Sequence, residues 1–322
     1  MKILRRLTLA FVLGAAPLLA AAQAYPSRPI NFIVPFTPGS GPDIVARLLG
    51  QKLSERWKQP VVVDNKPGAS GNIGADLVAK SQPNGHTLIV TPNTFALAPV
   101  LYKSIAFDPI GDFAAVGKIA VGSYALTINP GALPVSNLGE VLAALKAKPG
   151  QYNYGSPGNG TPQHVLVELL KFRTGVNATH VPYKGAAGAN TDLLSGQIQL
   201  MFLPTHTALP FARSGKLRIV AVTGAARSAL VPEVQTFREN GIDYMDSELW
   251  FGMLAPAKTP PEIIAKLNQE IISILALADV RENLLSQGLV PTPGKPEELA
   301  ALVRSDLARW KKVVEDAKIT AD

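Results

Sequence analysis

The sequence contains no cysteine. Disulfide bonds are therefore excluded, and so is the lipid-modified N-terminal cysteine that anchors some exported proteins. Charge is also sparse: Asp, Glu, Lys and Arg make up 17% of the chain, and the formal net charge is +7. The densest basic cluster, Lys311-Lys312 with Arg309, lies among acidic residues. Because no basic tract accompanies the positive charge, nucleic acid is not an expected partner.

Long apolar runs are missing after residue 24, and the N-terminal run Leu7–Ala21 is too short and too rich in Ala to anchor a protein in a membrane. Three basic residues precede this run, and Ala22-Gln23-Ala24 follows it with the small-x-small pattern of a cleavage site. Residues 1–24 are therefore predicted to be a signal peptide, with Tyr25 as the first mature residue. Without its three cations the charge falls from +7 to +4. We expect a periplasmic protein that is not lipidated.

Common catalytic and cofactor motifs are also missing. The nucleophile elbow of a serine hydrolase has the pattern G-x-S-x-G. Neither Gly155-Ser156-Pro157-Gly158 nor Gly68-Ala69-Ser70-Gly71 has this spacing. Gly39-Ser40-Gly41 lacks the third glycine of a dinucleotide-binding motif, and no P-loop GK[ST] is present. His164 and Glu168 have the i,i+4 spacing of metal ligands, but no third ligand is near in sequence, and we favour a polar residue in the first turn of a helix. No catalytic residue, metal or cofactor is therefore expected.

Short apolar runs alternate with helical patterns along the mature chain, as in α/β proteins with largely parallel sheets. Strands are predicted at Ile30–Pro35, Val61–Asp64, Thr87–Thr91, Ala114–Ile119, Tyr124–Asn129, Tyr152–Gly155, Thr179–Pro182, Ile198–Leu203, Leu217–Thr223 and Trp250–Ala255. Helices are predicted at Asp43–Arg56, Asn72–Ser81, Asn137–Lys148, Gln163–Gly175, Ala187–Ser195, Ala208–Ser214, Pro232–Asn240, Pro261–Ala276, Ala278–Gln287 and Pro296–Ala317.

Two extended apolar segments, Ala120–Asn129 and Leu249–Pro256, indicate that the chain leaves one α/β lobe, builds a second and returns. We predict a first lobe of residues 25–124 and 247–322 and a second lobe of residues 125–246. Ligands of such proteins lie between the lobes and at the carboxyl ends of strands.

Two loops of one kind lie about 120 residues apart. Each follows a strand, contains Gly and Ser, and opens a helix: Pro35–Asp43 and Gly155–Pro162. In the second, Thr161 has the place of an N-cap and Pro162 that of the first helical residue. A helix N-terminus offers free N–H groups and a positive dipole end to an anion. Each loop can also be a plain turn without a ligand. Since neither holds an obvious catalytic residue, they indicate binding of an anion rather than its transformation.

Three glycines at three-residue spacing, Gly68, Gly71 and Gly74, precede a predicted helix. The spacing loosely resembles a phosphate cradle. We favour a turn followed by a closely packed helix start, because glycine suits both.

Ordered motifs along nearly the whole mature chain resemble the Bug-type extracytoplasmic solute receptors of tripartite tricarboxylate transporters. The motifs are Tyr25–Ile30, the Pro35–Asp43 loop with Ala46-Arg47, Val61–Gly74, Tyr154–His164, His180–Gly185, Asp192–Gly196, and Trp250-Phe251-Gly252 with Ala255-Pro256. The resemblance implies a two-lobed, type II periplasmic-binding-protein fold, with two crossover segments, that closes on a small organic acid and delivers it to a membrane permease.

In that family a ligand carboxylate is held by backbone N–H groups, hydroxyls and bridging waters, so no buried cation has to lose its water. The matching positions of the first lobe are Phe36, Thr37, Gly39, Ser40, Gly41, Asp43, Asn93 and Thr94. Those of the second lobe are Ser156, Asn159, Gly160, Thr161, His164, Phe202 and Leu203. Phe36 and Trp250 are expected as apolar walls, although either residue can equally be core packing.

Three departures from the family pattern concern the ligand. Pro42 stands where the first loop usually has a small polar residue, and it removes one N–H donor. Leu203 stands where the family often has an Asp that helps to bind an amino group or a distal polar group, so an amino acid is a less expected ligand. Glu248 replaces a small residue. It would repel a second carboxylate if it faced the cleft, and we favour the alternative that it faces solvent.

The favoured hypothesis is a monomeric periplasmic receptor that captures a small organic carboxylate for a tripartite tricarboxylate-type permease. A second hypothesis is an exported hydrolase or isomerase that uses His164 or Asp43. A third is a receptor that reports ligand occupancy to a membrane sensor. The identity of the acid does not follow from the sequence.

Overall fold

The computed structural model describes residues 25–243, residue 245 and residues 247–320, so the predicted signal peptide lies outside the described residues. The strands are β1 (Ile30–Val34), β2 (Val61–Asn65), β3 (Thr87–Pro92), β4 (Phe113–Gly122), β5 (Tyr124–Ile128), β6 (Asn153–Ser156), β7 (Thr179–Pro182), β8 (Leu200–Pro204), β9 (Arg218–Val222), β10 (Leu249–Pro256) and β11 (Val290–Pro291). The helices are α1 (Gly41–Trp57), α2 (Asn72–Ala79), α3 (Thr94–Leu101), α4 (Leu138–Ala147), α5 (Pro162–Thr174), α6 (Ala186–Ser195), α7 (Thr205–Arg213), α8 (Pro261–Leu275), α9 (Ala278–Ser286) and α10 (Pro296–Ala317). In this part of the chain no helix combines the length and the apolar character that crossing a membrane requires.

The strands form two separate sheets. The first sheet has six strands in the order β11-β4-β10-β3-β1-β2, and the second has five in the order β7-β6-β8-β5-β9. In the first, β1, β2 and β3 are parallel and β10 is antiparallel to its neighbours β3 and β4. In the second, β6 is parallel to β7 and β8, whereas β5 is antiparallel to β8 and β9.

The chain passes directly from one sheet to the other, because Ser123 alone separates β4 from β5. It returns at Leu249, which pairs with Gly122 at the same end of the first sheet. The C-terminal end of β4 lies with those of β1, β2 and β3, and the N-terminal end of β5 lies with the C-terminal ends of β6 and β8. The carboxyl edges of the two sheets therefore meet at this crossing. The lobe limits given above stay a prediction.

Alternate residues of β8 pack against different helices, as the two-residue period of a strand requires. Leu200 and Phe202 are buried on the face that carries α5. Met201 and Leu203 are buried on the opposite face, where Ala189 of α6 and Ala208 of α7 join them. The helices α6 and α7 thus lie on one face of the second sheet.

The helix predicted at Pro232–Asn240 is wrong. This segment forms turns, a single parallel bridge between Thr236 and Val222, and a 3₁₀ turn at Arg238–Asn240. The Glu239 carboxylate accepts from the Thr236 N–H, and the Thr236 hydroxyl accepts from the Glu239 N–H. These hydrogen bonds between side chains and nearby backbone groups hold the segment in a turn instead of a helix. Helix α3 and the two-residue strand β11 were not predicted; α3 is buried on nearly all sides, so it has no amphipathic period.

Candidate functional site

A cavity of about 670 Å³ lies between the carboxyl edges of the two sheets. The loops after β1, β2 and β3 line one side, and the loops after β6, β7 and β8 line the other. Ser40 and Thr161, from opposite sheets, face this one hollow. The residues predicted from the sequence that line it are Phe36, Thr37, Gly39, Ser40, Gly41, Thr94, Asn159, Thr161 and Leu203.

Asp43, in the first turn of α1, organises the first loop. Its carboxylate accepts hydrogen bonds from the Gly39 N–H at 2.9 Å and from Asn65 Nδ2 at 3.0 Å, and it pairs with Arg47 at 2.9 Å. Burial raises the pKa of Asp43, but the bonds from Arg47, Gly39 and Asn65 outweigh burial and hold the pKa below its usual range. An ionised carboxylate with all these partners is a poor general base. Asp43 therefore shapes the loop.

The start of α1 leaves several donors unused. Ser40 is the N-cap residue, yet its hydroxyl makes no capping bond, and its Oγ is buried without a partner among the described residues. The N–H groups of Gly41 and Asp43 have no acceptor there either, as expected for the first turn of a helix. Phe251 packs beneath this turn: a Cβ on Gly41 would lie 3.0 Å from Phe251 Cζ.

The second loop uses most of its side-chain donors internally. The Thr161 hydroxyl donates to the Gly158 carbonyl at 2.8 Å, and the Gly160 N–H donates to His164 Nδ1 at 3.2 Å. Two of the predicted ligand donors are therefore already engaged. The N–H groups of Gln163 and His164 at the start of α5 have no acceptor within the described residues, and Gln163 lines the cavity.

Below this loop lies a stack of three rings. The His164 and His180 ring centroids are 4.2 Å apart, and those of Tyr154 and His180 are 4.7 Å apart. Burial lowers the pKa of both imidazoles, that of His180 to about 4, so both rings are neutral near pH 7. Ser156 Oγ lies 2.7 Å from His180 Nε2, but Ser156 is 0% exposed. A substrate cannot reach this Ser–His pair, which supports the loop from below.

Asn93 lies behind the cavity lining and ties the sheets together. Its Nδ2 donates to the Glu248 carbonyl at 2.9 Å, and its Oδ1 accepts from the Tyr124 hydroxyl at 3.0 Å. Asn93 was predicted to contact the ligand. The structure instead places its side chain at the crossing, where it binds Glu248 and Tyr124. The side chain of Glu248 is exposed, as the solvent alternative expects.

Trp250 and Phe202 are also placed in the core rather than in the cavity wall. The indole of Trp250 is 1% exposed and donates to Asp306 of α10 at 2.7 Å. Phe202 is 0% exposed and packs against Phe237, with ring centroids 5.6 Å apart. The side chains of a strand alternate between its two faces, and neither of these two residues lines the cavity, whereas their neighbours Phe251 and Leu203 do.

The loop after β2 is a contribution that the sequence analysis missed. Ser70 Oγ donates to the Asn159 carbonyl at 2.6 Å, and so links the two sides of the cavity; it also lies 3.3 Å from the Tyr102 hydroxyl. The glycines around Ser70 were the available signal, and they predicted only a turn. Other unpredicted lining residues are Tyr124, Asn190, Met201, His206, Leu249 and Phe251.

The cavity is electrostatically suited to an anion. None of the described residues that line it is Asp or Glu, and Lys184 lies at its exposed rim. The helices α1, α3, α5, α6 and α7 each contribute a residue of their first turn to the lining. The positive ends of these helix dipoles are therefore directed towards the cavity. Among the described residues, no group of three or more His, Asp or Glu side chains could hold a metal ion.

Comparisons of sequence and of structure with known proteins identify the same family. Residues 45–319 match the model described as tripartite tricarboxylate transporter family receptor. Protein BugT of Bordetella pertussis is 36% identical over 304 residues, 94% of this chain and 92% of BugT.

Solved structures agree with this match. Rpa4515 of R. palustris, solved with adipate, is 34% identical with a TM-score of 0.86, over 92% of this chain and 99% of that one. MatC of Rhodopseudomonas palustris, with bound malate, is 32% identical with a TM-score of 0.83, over 90% of this chain and 100% of that one.

The predicted two-lobed α/β fold and the resemblance to Bug-type receptors are confirmed. The hypothesis of an exported hydrolase or isomerase is not supported, because the family and its solved relatives are receptors. The chain belongs to the tripartite tricarboxylate transporter receptor family, whose members are periplasmic solute-binding proteins and not enzymes.

Proposed function

We propose that this receptor binds the carboxylate of a small organic acid between the N-termini of α1 and α5. The observation that carries the proposal is the set of free donors on the two sides of one cavity. Gly41 of α1 and Gln163 of α5 line the cavity, and their N–H groups have no acceptor among the described residues. The N–H groups of Asp43 and His164, in the same first turns, also have no acceptor there. The relatives solved with adipate and malate support an organic acid as the ligand class.

Neutral donors can hold such a ligand without a salt bridge. A hydrogen bond to a charged group contributes about 1.5–3 kcal/mol, roughly twice a neutral one. The buried Ser40 hydroxyl adds a donor that has no other use among the described residues. With no acidic side chain among the described lining residues, nothing in that lining repels the carboxylate.

The remaining parts of the proposal concern closure, export and delivery of the ligand. A first lobe of residues 25–124 and 247–322 closes on a second lobe of residues 125–246 about the crossing, and ligand binding shifts this equilibrium towards the closed form. The mature protein, exported by the signal peptide 1–24, acts as a monomer in the periplasm and delivers its ligand to the permease subunits of a tripartite tricarboxylate-type transporter.

Calorimetry with mono-, di- and aromatic carboxylic acids, each beside its primary amide, tests the carboxylate site. We expect at least one acid to bind and to raise the melting temperature, while its amide of the same shape does neither. Equal binding of an acid and its amide would contradict an anion site. Silence across the whole panel would contradict the proposed function.

Ser40→Ala tests the α1 side. Because the hydroxyl makes no capping bond, alanine should change the free energy of unfolding little. Affinity for the acid should fall by about 1.5–3 kcal/mol, the contribution of a bond to a charged group. Ser286→Ala, which removes an exposed hydroxyl that donates to Asn283, is the matched control and should leave affinity unchanged.

A further inference from the structure

A second group of residues, part polar and part apolar, lines the cavity on the side of the second sheet. We call it the distal subsite: Asn190 of α6, Met201 and Leu203 of β8, and His206 and Thr207 of α7. The helices α6 and α7 lie on the same face of the sheet as Met201 and Leu203. The distal subsite is therefore a patch on one face of the second sheet.

This patch lies towards the crossing. The Cβ atom of His206 is 3.5 Å from the place where a Cβ on Gly288 would lie. A Cβ on Gly122, the last residue of β4, would in turn lie 3.3 Å from the Gly288 carbonyl oxygen. Phe251, which packs against Gly41 at the start of α1, also lines the cavity. A ligand whose carboxylate is bound at α1 thus has an apolar wall beside its carbon chain.

Asn190 and His206 of the distal subsite have no side-chain hydrogen-bond partner among the described residues. Asn190 Oδ1 is buried and makes no hydrogen bond to any described residue. The His206 ring has no hydrogen-bond partner within the described chain either. A buried polar group without a partner is costly, so such a group is commonly completed by a ligand or water. An Asn amide and a neutral imidazole each carry one donor side and one acceptor side.

The surroundings disfavour a charged group at this end. Met201 is 0% exposed and Leu203 is 1% exposed. Burial lowers the pKa of His206 to about 4, so the ring carries no charge near pH 7. Lys184, the lysine of the described lining, is exposed at the rim. A second carboxylate or an ammonium group would lose water here without a charged partner.

We propose that the distal subsite selects organic acids whose far end is an uncharged group able to both donate and accept a hydrogen bond, such as a hydroxyl, joined to the carboxylate by an apolar chain. The inference rests on the proposed carboxylate site. It assigns Asn190 and His206 as the residues that determine specificity.

Four six-carbon acids that differ only at the far end test the proposal by calorimetry at pH 7.5: hexanoate, 6-hydroxyhexanoate, adipate and 6-aminohexanoate. We expect 6-hydroxyhexanoate to bind about tenfold more tightly than hexanoate, the effect of one well-formed neutral hydrogen bond. Adipate and 6-aminohexanoate should bind more weakly than hexanoate. Tightest binding by adipate, or no gain from the hydroxyl, would overturn the proposal.

The variant Asn190→Ala separates a ligand contact from a general effect. It should abolish the tenfold preference, so that the ratio of the affinities for 6-hydroxyhexanoate and hexanoate falls to about one. Thr191→Ala, an exposed neighbour on α6, is the control and should keep the preference. A preference that survives in Asn190→Ala would remove Asn190 from the subsite. If acids of the wider panel bind but in another order, this inference alone fails; if none binds, the proposed function fails with it.

Discussion

Replacing Ser70 by alanine should weaken ligand binding without a direct loss of ligand contacts. The Ser70 hydroxyl donates to the Asn159 carbonyl at 2.6 Å and so joins the loop after β2 to the loop after β6. These loops belong to opposite sheets, so the bond forms when the two sides of the cavity come together. Ser70 is held at φ +53°, a left-handed conformation that costs a non-glycine residue about 1 kcal/mol. The bond gives a physical reason why that conformation is kept.

The expected size follows from the one bond that is lost. A partly buried neutral hydrogen bond contributes about 0.5–1.5 kcal/mol. A loss of about 1 kcal/mol lowers the equilibrium constant for closure about fivefold. If the closed form is the minor one without ligand, the apparent affinity falls by the same factor. The factor should be equal for every acid, because the ligand does not take part in the bond.

The assay is calorimetry of the wild type and Ser70→Ala with several acids, together with the radius of gyration of the ligand-free protein from X-ray scattering. Ser81→Ala is the matched control. It also removes a hydroxyl, but that hydroxyl donates to the carbonyl of Val78 in α2 and does not link the two sides of the cavity. Without ligand the open form dominates in both proteins, so we expect similar mean radii, and a uniform loss of affinity for Ser70→Ala alone. A loss that differs from acid to acid would make Ser70 a ligand contact, and an unchanged affinity would refute the reasoning.

Two further predictions concern stability. Burial and the neighbouring His164 lower the pKa of His180 to about 4, below the value of about 6.5 in an unfolded chain, so the folded state binds fewer protons between these values. The free energy of unfolding from urea titrations should be greatest above about pH 6.5 and fall as the pH drops towards 4, and His180→Gln should flatten that fall. In Gly74→Ala, a Cβ would lie 2.8 Å from Pro35 Cβ and 3.2 Å from the Lys66 carbonyl oxygen, so we expect a loss of about 1–3 kcal/mol in the same assay. Leu77→Ala, exposed on the same helix, should change it far less.

The regular elements were predictable where hydrophobic periodicity is strong. The prediction Gln163–Gly175 differs from α5 by one residue at each end, within the usual scatter of helix ends. Prediction failed where long-range packing decided the conformation. The segment Pro232–Asn240 has helical composition, but Thr236 bridges to Val222 and Glu239 bonds back to Thr236, so a turn results. Helix α3 is buried on almost every side, and a uniform apolar run carries no period.

The sequence by itself determined the two strand–loop–helix units and the N–H groups that their first turns leave free, because these depend on neighbours within four residues. It also determined the family, through motifs in a fixed order. Only the tertiary structure decided which side chains face the cavity. The Thr161 hydroxyl donates within its own loop, whereas the Ser40 hydroxyl is unpartnered among the described residues. Trp250 faces Asp306, while Asn190 and His206 line the hollow. Such choices depend on contacts between segments far apart in the chain, and no local pattern encodes them.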